Sequence, residues 1–436
     1  MHCHRKSLAR GAGVVALLVA LTAARAGDSS QADAALSLPA PLDGDAFAAA
    51  VLAHNASLEA MQQAVVAAVA QIRPAGALDD PMLSVSAAPR TFGSTTGASG
   101  DIEVSQSLPW WGTLDARKEA ARAQAEATGQ DFDALRLSVA ALARRAFSDW
   151  AYVHRALDIN EENQTVLTEM RDAARVRYST GEAPQEDILQ ADVERALLKQ
   201  QRLELTRDEA SVQARMNALL DRRPRESIPA PAALPATKRL PAEELLAQRA
   251  LSHPQLQKLA ADERAATAQE RLAEKDRYPK FGVSAGYNNL WSDPTQRPMV
   301  GLSFTVPIDQ SKYRARIDAA RAEAHRAAST LEDERASLLA DLSAAYASTR
   351  EAAESIALYQ DELLPLARNT LEVARAEYAN GRGDFLNVLT ADQHRLETEL
   401  ALARMESDYY QRLAELDRMS GGGLIAPPSK DVGAVQ

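Results

Sequence analysis

Arg175-Val176-Arg177-Tyr178-Ser179-Thr180-Gly181 leads into Ile188-Leu189-Gln190-Ala191-Asp192, and Arg375-Ala376-Glu377-Tyr378-Ala379-Asn380-Gly381 leads into Val388-Leu389-Thr390-Ala391-Asp392. The two stretches keep one offset of 200 residues throughout. Other landmarks follow in the same order at nearly that offset. Leu52-Ala53-His54-Asn55 matches Leu251-Ser252-His253-Pro254, and Pro109 matches Pro307. Glu119-Ala120-Ala121-Arg122-Ala123 matches Asp318-Ala319-Ala320-Arg321-Ala322. The chain therefore reads as two tandem copies of one unit, and that repeat governs the fold. The copies span 27–223 and 242–420, joined by the Pro-rich linker 224–241 and followed by a flexible tail, 421–436.

Each copy has the same internal order. A helix comes first, Asp43 to Ile72 and then Pro241 to Asp276. Two alternating runs follow. Leu83, Val85 and Ala87 alternate with serines, and Ile102 and Val104 with Glu103 and Ser105. In the second copy Phe281, Val283, Ala285 and Tyr287 alternate with small or polar residues, as do Val300, Leu302, Phe304 and Val306. Period two of this length is a strand with one apolar and one polar face. The loops Thr91 to Ser99 and Leu290 to Pro298 join the strands.

Next comes a long helix. No proline occurs from Trp110 to Ala183, and only Pro365 interrupts Tyr313 to Tyr378. At 1.5 Å per residue such a helix is roughly 100 Å long. Leu331, Leu338, Ala345, Ala352, Tyr359, Leu366 and Val373 recur every seven residues, as do Leu198, Leu205, Val212 and Leu219. These are coiled-coil seams. Pro365 is expected to kink or open its helix. Gly181 and Gly381 end the long helices. Helices Gln185 to Leu220 and Asp384 to Met419 return, leaving hairpin tips at Tyr178 to Pro184 and Tyr378 to Asp384. The fold class is mainly α with a small β part: tandem long helical hairpins plus four strands per chain.

The chemistry is as informative for what it lacks. Among 436 residues the only cysteine is Cys3, which removes internal disulfides and every CxxC motif. No GxxxxGK[ST], HExxH or GxSxG occurs, so no enzyme class is indicated. No cofactor and no metal site is expected. A net charge of -11 argues against nucleic acid. Arg5, Lys6 and Arg10, an apolar run from Gly13 to Thr22, and Ala24-Arg25-Ala26 read as a signal peptide, 1–26, cleaved before Gly27. Cys3 precedes the apolar run, so no lipidated first residue is expected. Removing those three cations and Arg25 takes the charge from -11 to -15.

Strands of about ten residues suit an outer-membrane barrel. Four of them cannot close, and open edges are not tolerated in lipid. Three chains would supply twelve strands. At this point the residues resemble a family. The order helix, two strands, long helix, tip and return helix, present twice, is similar to that of the TolC family of outer-membrane efflux proteins. So are the Tyr-x-x-Gly tips and the junction Gln106-Ser107-Leu108-Pro109 leading to Gly112. The resemblance implies a homotrimer in the cell outer membrane that extends into the periplasm. It implies a passive conduit working with a periplasmic adaptor protein and an inner-membrane pump of RND type, with outer-membrane lipid around the barrel. Tyr178, Gly181, Tyr378 and Gly381 would form the adaptor-binding tip. Positions where the family carries pore carboxylates fall on Asn387 and Thr390, both uncharged, leaving Asp187 in copy one as the candidate constriction, with Glu186 beside it. Asp187 also reads as a first-turn acid that complements the helix dipole. Trp110 and Trp111 suit a membrane-interface belt. The Pro109-Trp110-Trp111-Gly112 junction and the tandem tips resemble partners of heavy-metal cation pumps, with multidrug efflux and protein secretion left open. A periplasmic coiled-coil scaffold or adaptor without a pore is the alternative reading.

Overall fold

The computed structural model describes residues 38–88, 99–289 and 293–425. The signal peptide and residues 27–37, most of the first strand-connecting loop, residues 290–292 of the second and the end of the tail lie outside the described residues. Copy one contains α1 (Gly44–His54), α2 (Ala56–Ala75), β1 (Met82–Ala88), β2 (Ser99–Leu108), α3 (Thr113–Ser179) and α4 (Gln185–Leu219). Copy two contains α5 (Glu243–Ala250), α6 (Pro254–Asp276), β3 (Lys280–Asn288), β4 (Pro298–Thr305), α7 (Gln310–Leu358), α8 (Leu364–Ala379) and α9 (Phe385–Met419).

The first helix expected in each copy is in fact two. In copy one the break is Asn55, whose extended backbone ends α1 while its side chain accepts from Ser57 N at 3.1 Å and caps α2. Its amide also donates to Leu219 O, the end of α4, at 3.0 Å. Copy two builds the same joint with a different residue. His253 caps α6 by accepting from Gln255 N at 3.2 Å, and its Nε2–H donates to Arg418 O at the end of α9 at 3.1 Å. The ring is 2% exposed, and burial is the main reason its pKa falls below the ordinary 6.5, with the nearby Arg418 charge acting the same way. A doubly protonated ring would lose the acceptor that caps α6. Since the folded pKa is depressed, this stability is full above pH 6.5 and is lost as pH falls through the folded pKa. Each unit of depression corresponds to about 1.4 kcal/mol. Thermal melts from pH 8 to 5 should show an acid-side loss that His253→Asn flattens. An unchanged pH profile would remove His253 as the sensitive group.

α3 runs unbroken for 67 residues. Its counterpart does not. α7 is followed by a π-helical turn, Tyr359–Leu363, in which Leu364 N–H bonds to Tyr359 O. This is the opening that Pro365, lacking an N–H, imposes one turn ahead of itself. The wider turn rotates the helix face. The seam is buried at Ala352, but its continuation at Leu366 and Val373 is 61% and 58% exposed. Leu371 and Tyr378 take over at 4% and 8% exposure. The seven-residue seam expected through Tyr359, Leu366 and Val373 therefore stops at the π turn. The seam on α4 holds, with Leu198, Leu205 and Val212 all buried.

The four strands form one antiparallel sheet in the order β1-β2-β3-β4. The register pairs Val85 with Ile102, Ile102 with Tyr287, Val104 with Ala285, and Val283 with Leu302. Apolar positions of all four strands thus share one face. The other face carries Ser84, Glu103, Ser105, Gly282, Ser284 and Ser303. The apolar face is bare: Val85 is 68% exposed, Val300 89% and Leu302 71%.

The linker packs against the helices. Leu42 pairs with it through Leu42 N to Ala230 O at 3.0 Å, Trp150 Nε1 donates to Pro229 O at 3.0 Å, and Lys238 N donates to the Tyr409 hydroxyl at 3.1 Å. The start of the expected flexible tail is also held. Buried Asp417 accepts from Leu424 N at 2.7 Å while it pairs with buried Arg144 at 2.9 Å.

Candidate functional site

The two tips have one backbone design. After α3, Gly181 N bonds to Tyr178 O at 3.0 Å and Glu182 N to Arg177 O at 2.8 Å. After α8, Gly381 N bonds to Tyr378 O and Arg382 N to Glu377 O, both at 3.0 Å. This is the Schellman stop, which satisfies the last carbonyls and needs a left-handed residue just past the helix. Gly181 has φ +77° and Gly381 φ +71°.

The tyrosines of the repeat diverge. Tyr178 is 46% exposed and Tyr378 only 8%. Tyr378 is the point where the copies lock together. Its hydroxyl donates to Asp187 Oδ2 at 2.8 Å, its ring lies 4.5 Å from the Arg177 guanidinium carbon, and its carbonyl accepts from Arg177 Nη1. Phe385 packs against it with centroids 5.2 Å apart. Burial, then the Asp187 carboxylate, pushes the Tyr378 phenol pKa far up, so the hydroxyl stays a donor. Leu167, Met170, Leu198, Leu371, Val388 and Leu389 form the apolar cluster around this lock.

Asp187 is therefore not the open carboxylate that the sequence suggested. It is 8% exposed and engaged by Tyr378, because the return helix turns that face toward α8. Glu186, one residue earlier, is exposed, as are Asn387 and Thr390. Glu186 and Thr390 line a groove of about 320 Å³ between α4 and α9, together with Leu189, Val193 and Glu194. A second groove, of about 520 Å³, lies between α3 and α8, with Met170, Val176, Arg177, Arg375, Phe385 and Val388 among its walls. Arg375 Nε and Nη2 are shielded there without a hydrogen-bond partner.

Deeper in the hairpins the repeated Ala-Asp pairs serve as fasteners. Asp192 accepts from Arg171 Nε at 2.7 Å. Asp392 accepts from Arg395 Nη2 at 3.0 Å, and Arg395 reaches Glu399 at 2.7 Å and Asn163 of the other copy. Desolvation raises the Asp392 pKa even against the pull of Arg395. The sequence reading missed Arg177, Asn163 and Arg395. For Arg395 a signal was present, since Asp392 and Glu399 stand three and four residues away on one helix face.

At the opposite ends of the hairpins, Trp110 stacks on Tyr278 at 4.8 Å and on Phe281 at 5.7 Å, with Trp111 edge-on to Phe281 at 5.5 Å. Trp111 is 72% exposed. No group of three or more His, Cys, Asp or Glu residues could hold a metal among the described residues.

The outer membrane efflux protein family model matches residues 48–221 and 245–422, one match for each copy. The chain belongs to this family. By sequence, no curated protein matches it. Among solved structures the outer-membrane channel OprN is 22% identical with a TM-score of 0.77, over 87% of this chain and 90% of that one. CusC, described for folding and transmembrane channel formation, is 19% identical with a TM-score of 0.76, over 87% of this chain and 92% of that one. The open-state MtrE outer membrane channel of Neisseria gonorrhoeae is 18% identical with a TM-score of 0.74, over 88% and 90%. These likenesses show the fold. An outer membrane efflux protein is a transport conduit located in the outer membrane and reaching into the periplasm, which fits a sheet with one bare apolar face set at the end of long hairpins. The scaffold alternative is not favoured, because it gives that face no purpose.

Proposed function

We propose that three copies of this chain close a twelve-stranded barrel in the outer membrane and that their hairpins form its periplasmic tunnel. The carrying observation is the sheet. β1 and β4 each have an unpaired edge, and an open edge in lipid leaves N–H and C=O groups unsatisfied. Exposed apolar stripes on the helices point the same way. Leu197 and Leu203 of α4 are 52% and 73% exposed, and Val66 and Val69 of α2 are 57% and 53%. Neighbouring copies would cover them. Light scattering of the detergent-purified chain should give three chains per particle. A monodisperse monomer would overturn this reading.

The chain is exported by residues 1–26, cleaved before Gly27 and not lipidated. The tips dock a periplasmic adaptor that links the duct to an RND-type inner-membrane pump, with Tyr178, Gly181 and Gly381 at the contact and buried Tyr378 holding the tip from behind. The α3–α8 groove, with exposed Val176 in its wall, supports docking there. The cargo we favour is heavy-metal cations, on the resemblance at the Pro109-Trp110-Trp111-Gly112 junction.

The constriction moves by one residue. Glu186, not Asp187, shares an open groove with Thr390, and threefold symmetry would make it a ring of carboxylates. Glu186→Gln should lower cation-over-anion selectivity of single channels, most at low salt. Asp187→Asn should leave the reversal potential nearly unchanged but speed amide exchange at the tips, because it weakens the acceptor for a buried hydroxyl, a loss of about 1–3 kcal/mol. The reverse pattern would return the constriction to Asp187.

A further inference from the structure

The two copies differ sharply in charge where helices meet strands. Beside the start of β3 and the start of α7 stand Lys275, Arg277, Lys280, Lys312, Arg314 and Arg316. Within 275–280 and 312–316 the only carboxylate is Asp276, which lies 3.7 Å from Lys280. The matching windows of copy one, 77–82 and 114–118, hold Arg117 and Lys118 against Asp79, Asp80 and Asp115. The balance is +5 (6 minus 1) in copy two and -1 (2 minus 3) in copy one, in a chain whose net charge is -11.

Position gives the imbalance its meaning. Of the six cations, all but the half-buried Lys275 are exposed. Lys280 stands on the Gly282–Ser284 face of β3 and Arg314 about 200° around α7 from Lys312, so Arg277, Lys312 and Arg316 carry the surface. Arg277 lies over the Tyr278 ring at 5.1 Å and donates to its hydroxyl at 3.0 Å. Tyr278 stacks on Trp110, and Trp110 on Phe281, whose side chain belongs to the apolar face of the sheet. Lys312 and Arg316, one helical turn apart, approach the Tyr313 ring at 5.8 and 6.0 Å. From Phe281 through Trp110 and Tyr278 to Arg277, apolar strand, aromatic rings and a cation therefore succeed one another, and Lys312 and Arg316 add charge at the start of α7. That is the profile of a membrane boundary, with hydrocarbon, interface and headgroup in order.

We propose that this copy-two junction is a docking surface for the anionic headgroups of phospholipids in the periplasmic leaflet. The proposal rests on the outer-membrane reading and adds a lipid preference to it. The aromatic rings set the depth, and the long basic side chains reach from there to phosphate oxygens. In a trimer the surface would recur three times, alternating with copy-one junctions that carry no such charge. The chain would thus be held at a fixed height and would prefer acidic over zwitterionic lipid at only three sectors of its circumference.

The test uses the full chain reconstituted in vesicles. Brominated phosphatidylglycerol and brominated phosphatidylcholine are compared as quenchers of tryptophan fluorescence, since exposed Trp111 adjoins the surface while Trp150 is 3% exposed. The expected result is stronger quenching by phosphatidylglycerol at low salt, weakening as salt rises. Each basic group near the surface contributes roughly fivefold in lipid affinity. Arg277→Gln/Lys312→Gln/Arg316→Gln should abolish the preference. Arg277→Lys/Arg316→Lys should keep it, as should Arg117→Gln/Lys118→Gln in copy one. Equal quenching by both lipids, or a preference that survives the triple substitution, overturns the proposal. Salt-sensitive binding to peptidoglycan sacculi, lost in the triple variant and without any lipid preference, would give the surface to a different partner and overturn it as well. Absence of quenching by either lipid would overturn the membrane reading itself, an outcome distinct from a failed preference.

Discussion

Val283→Arg will block membrane assembly of the channel, and Ser284→Arg, one residue along the same strand, will be far better tolerated. Val283 sits between Gln106 on β2 and Leu302 on β4, on the face that also carries Val104, Ala285 and Val300. That face is exposed in the single chain and would be covered by hydrocarbon in the membrane. A lipid-facing arginine near the midplane costs about 2–4 kcal/mol. A trimer carries it three times, a sum comparable to the whole stability of a typical folded protein. Ser284 faces the side lined by Ser105, Gly301 and Ser303, where water would hydrate a guanidinium. The measurement is the fraction of heat-modifiable trimer in outer-membrane preparations. Similar yields for the two variants would mean that the faces are exchanged or that the sheet does not meet lipid.

Replacing Gly181 and Gly381 together by valine should abolish efflux while trimers still reach the outer membrane. The expected damage is to the backbone. A side chain on Gly181 would meet nothing within 4 Å, and one on Gly381 would meet only the Arg177 side-chain nitrogen at 3.6 Å. The φ values of +77° and +71° are the obstacle, since a left-handed residue with a Cβ costs roughly 1–2 kcal/mol and a β-branched one more. The Schellman stops would open and the last turns of α3 and α8 would fray. The barrel, at the other end of the hairpins, would be untouched. Full resistance to efflux substrates in the double variant would take the tips out of the mechanism.

The tip signature, repeated at an offset of 200, predicts two Schellman ends, and both are present because such a stop is local: a glycine, a left-handed angle and two hydrogen bonds. Alternation in 281–287 and 300–306 predicts two strands, and the structure has them because side chains on a strand change face at every residue. The break at Asn55 was also legible, since Asn is a strong cap, yet the long apolar pattern around it masked the signal.

The sequence by itself determined the duplication, the element order, the two faces of the sheet and the helix stops. All are short-range properties of residue type and period. Only the tertiary structure decided what the duplicated residues do. Tyr178 and Tyr378 hold the same place in the repeat, but only Tyr378 finds Arg177, Asp187 and Phe385 around it. Asp187 and Glu186 are neighbours in sequence, and about 100° of helical rotation sends one into the lock and leaves the other in the open groove. Pro365 foretold a disturbance, whereas the face presented beyond it depended on how much the π turn rotated α8 before it met α9. Two copies of one pattern, packed against each other, no longer have identical surroundings, and surroundings are what separate a packed tyrosine from an exposed one.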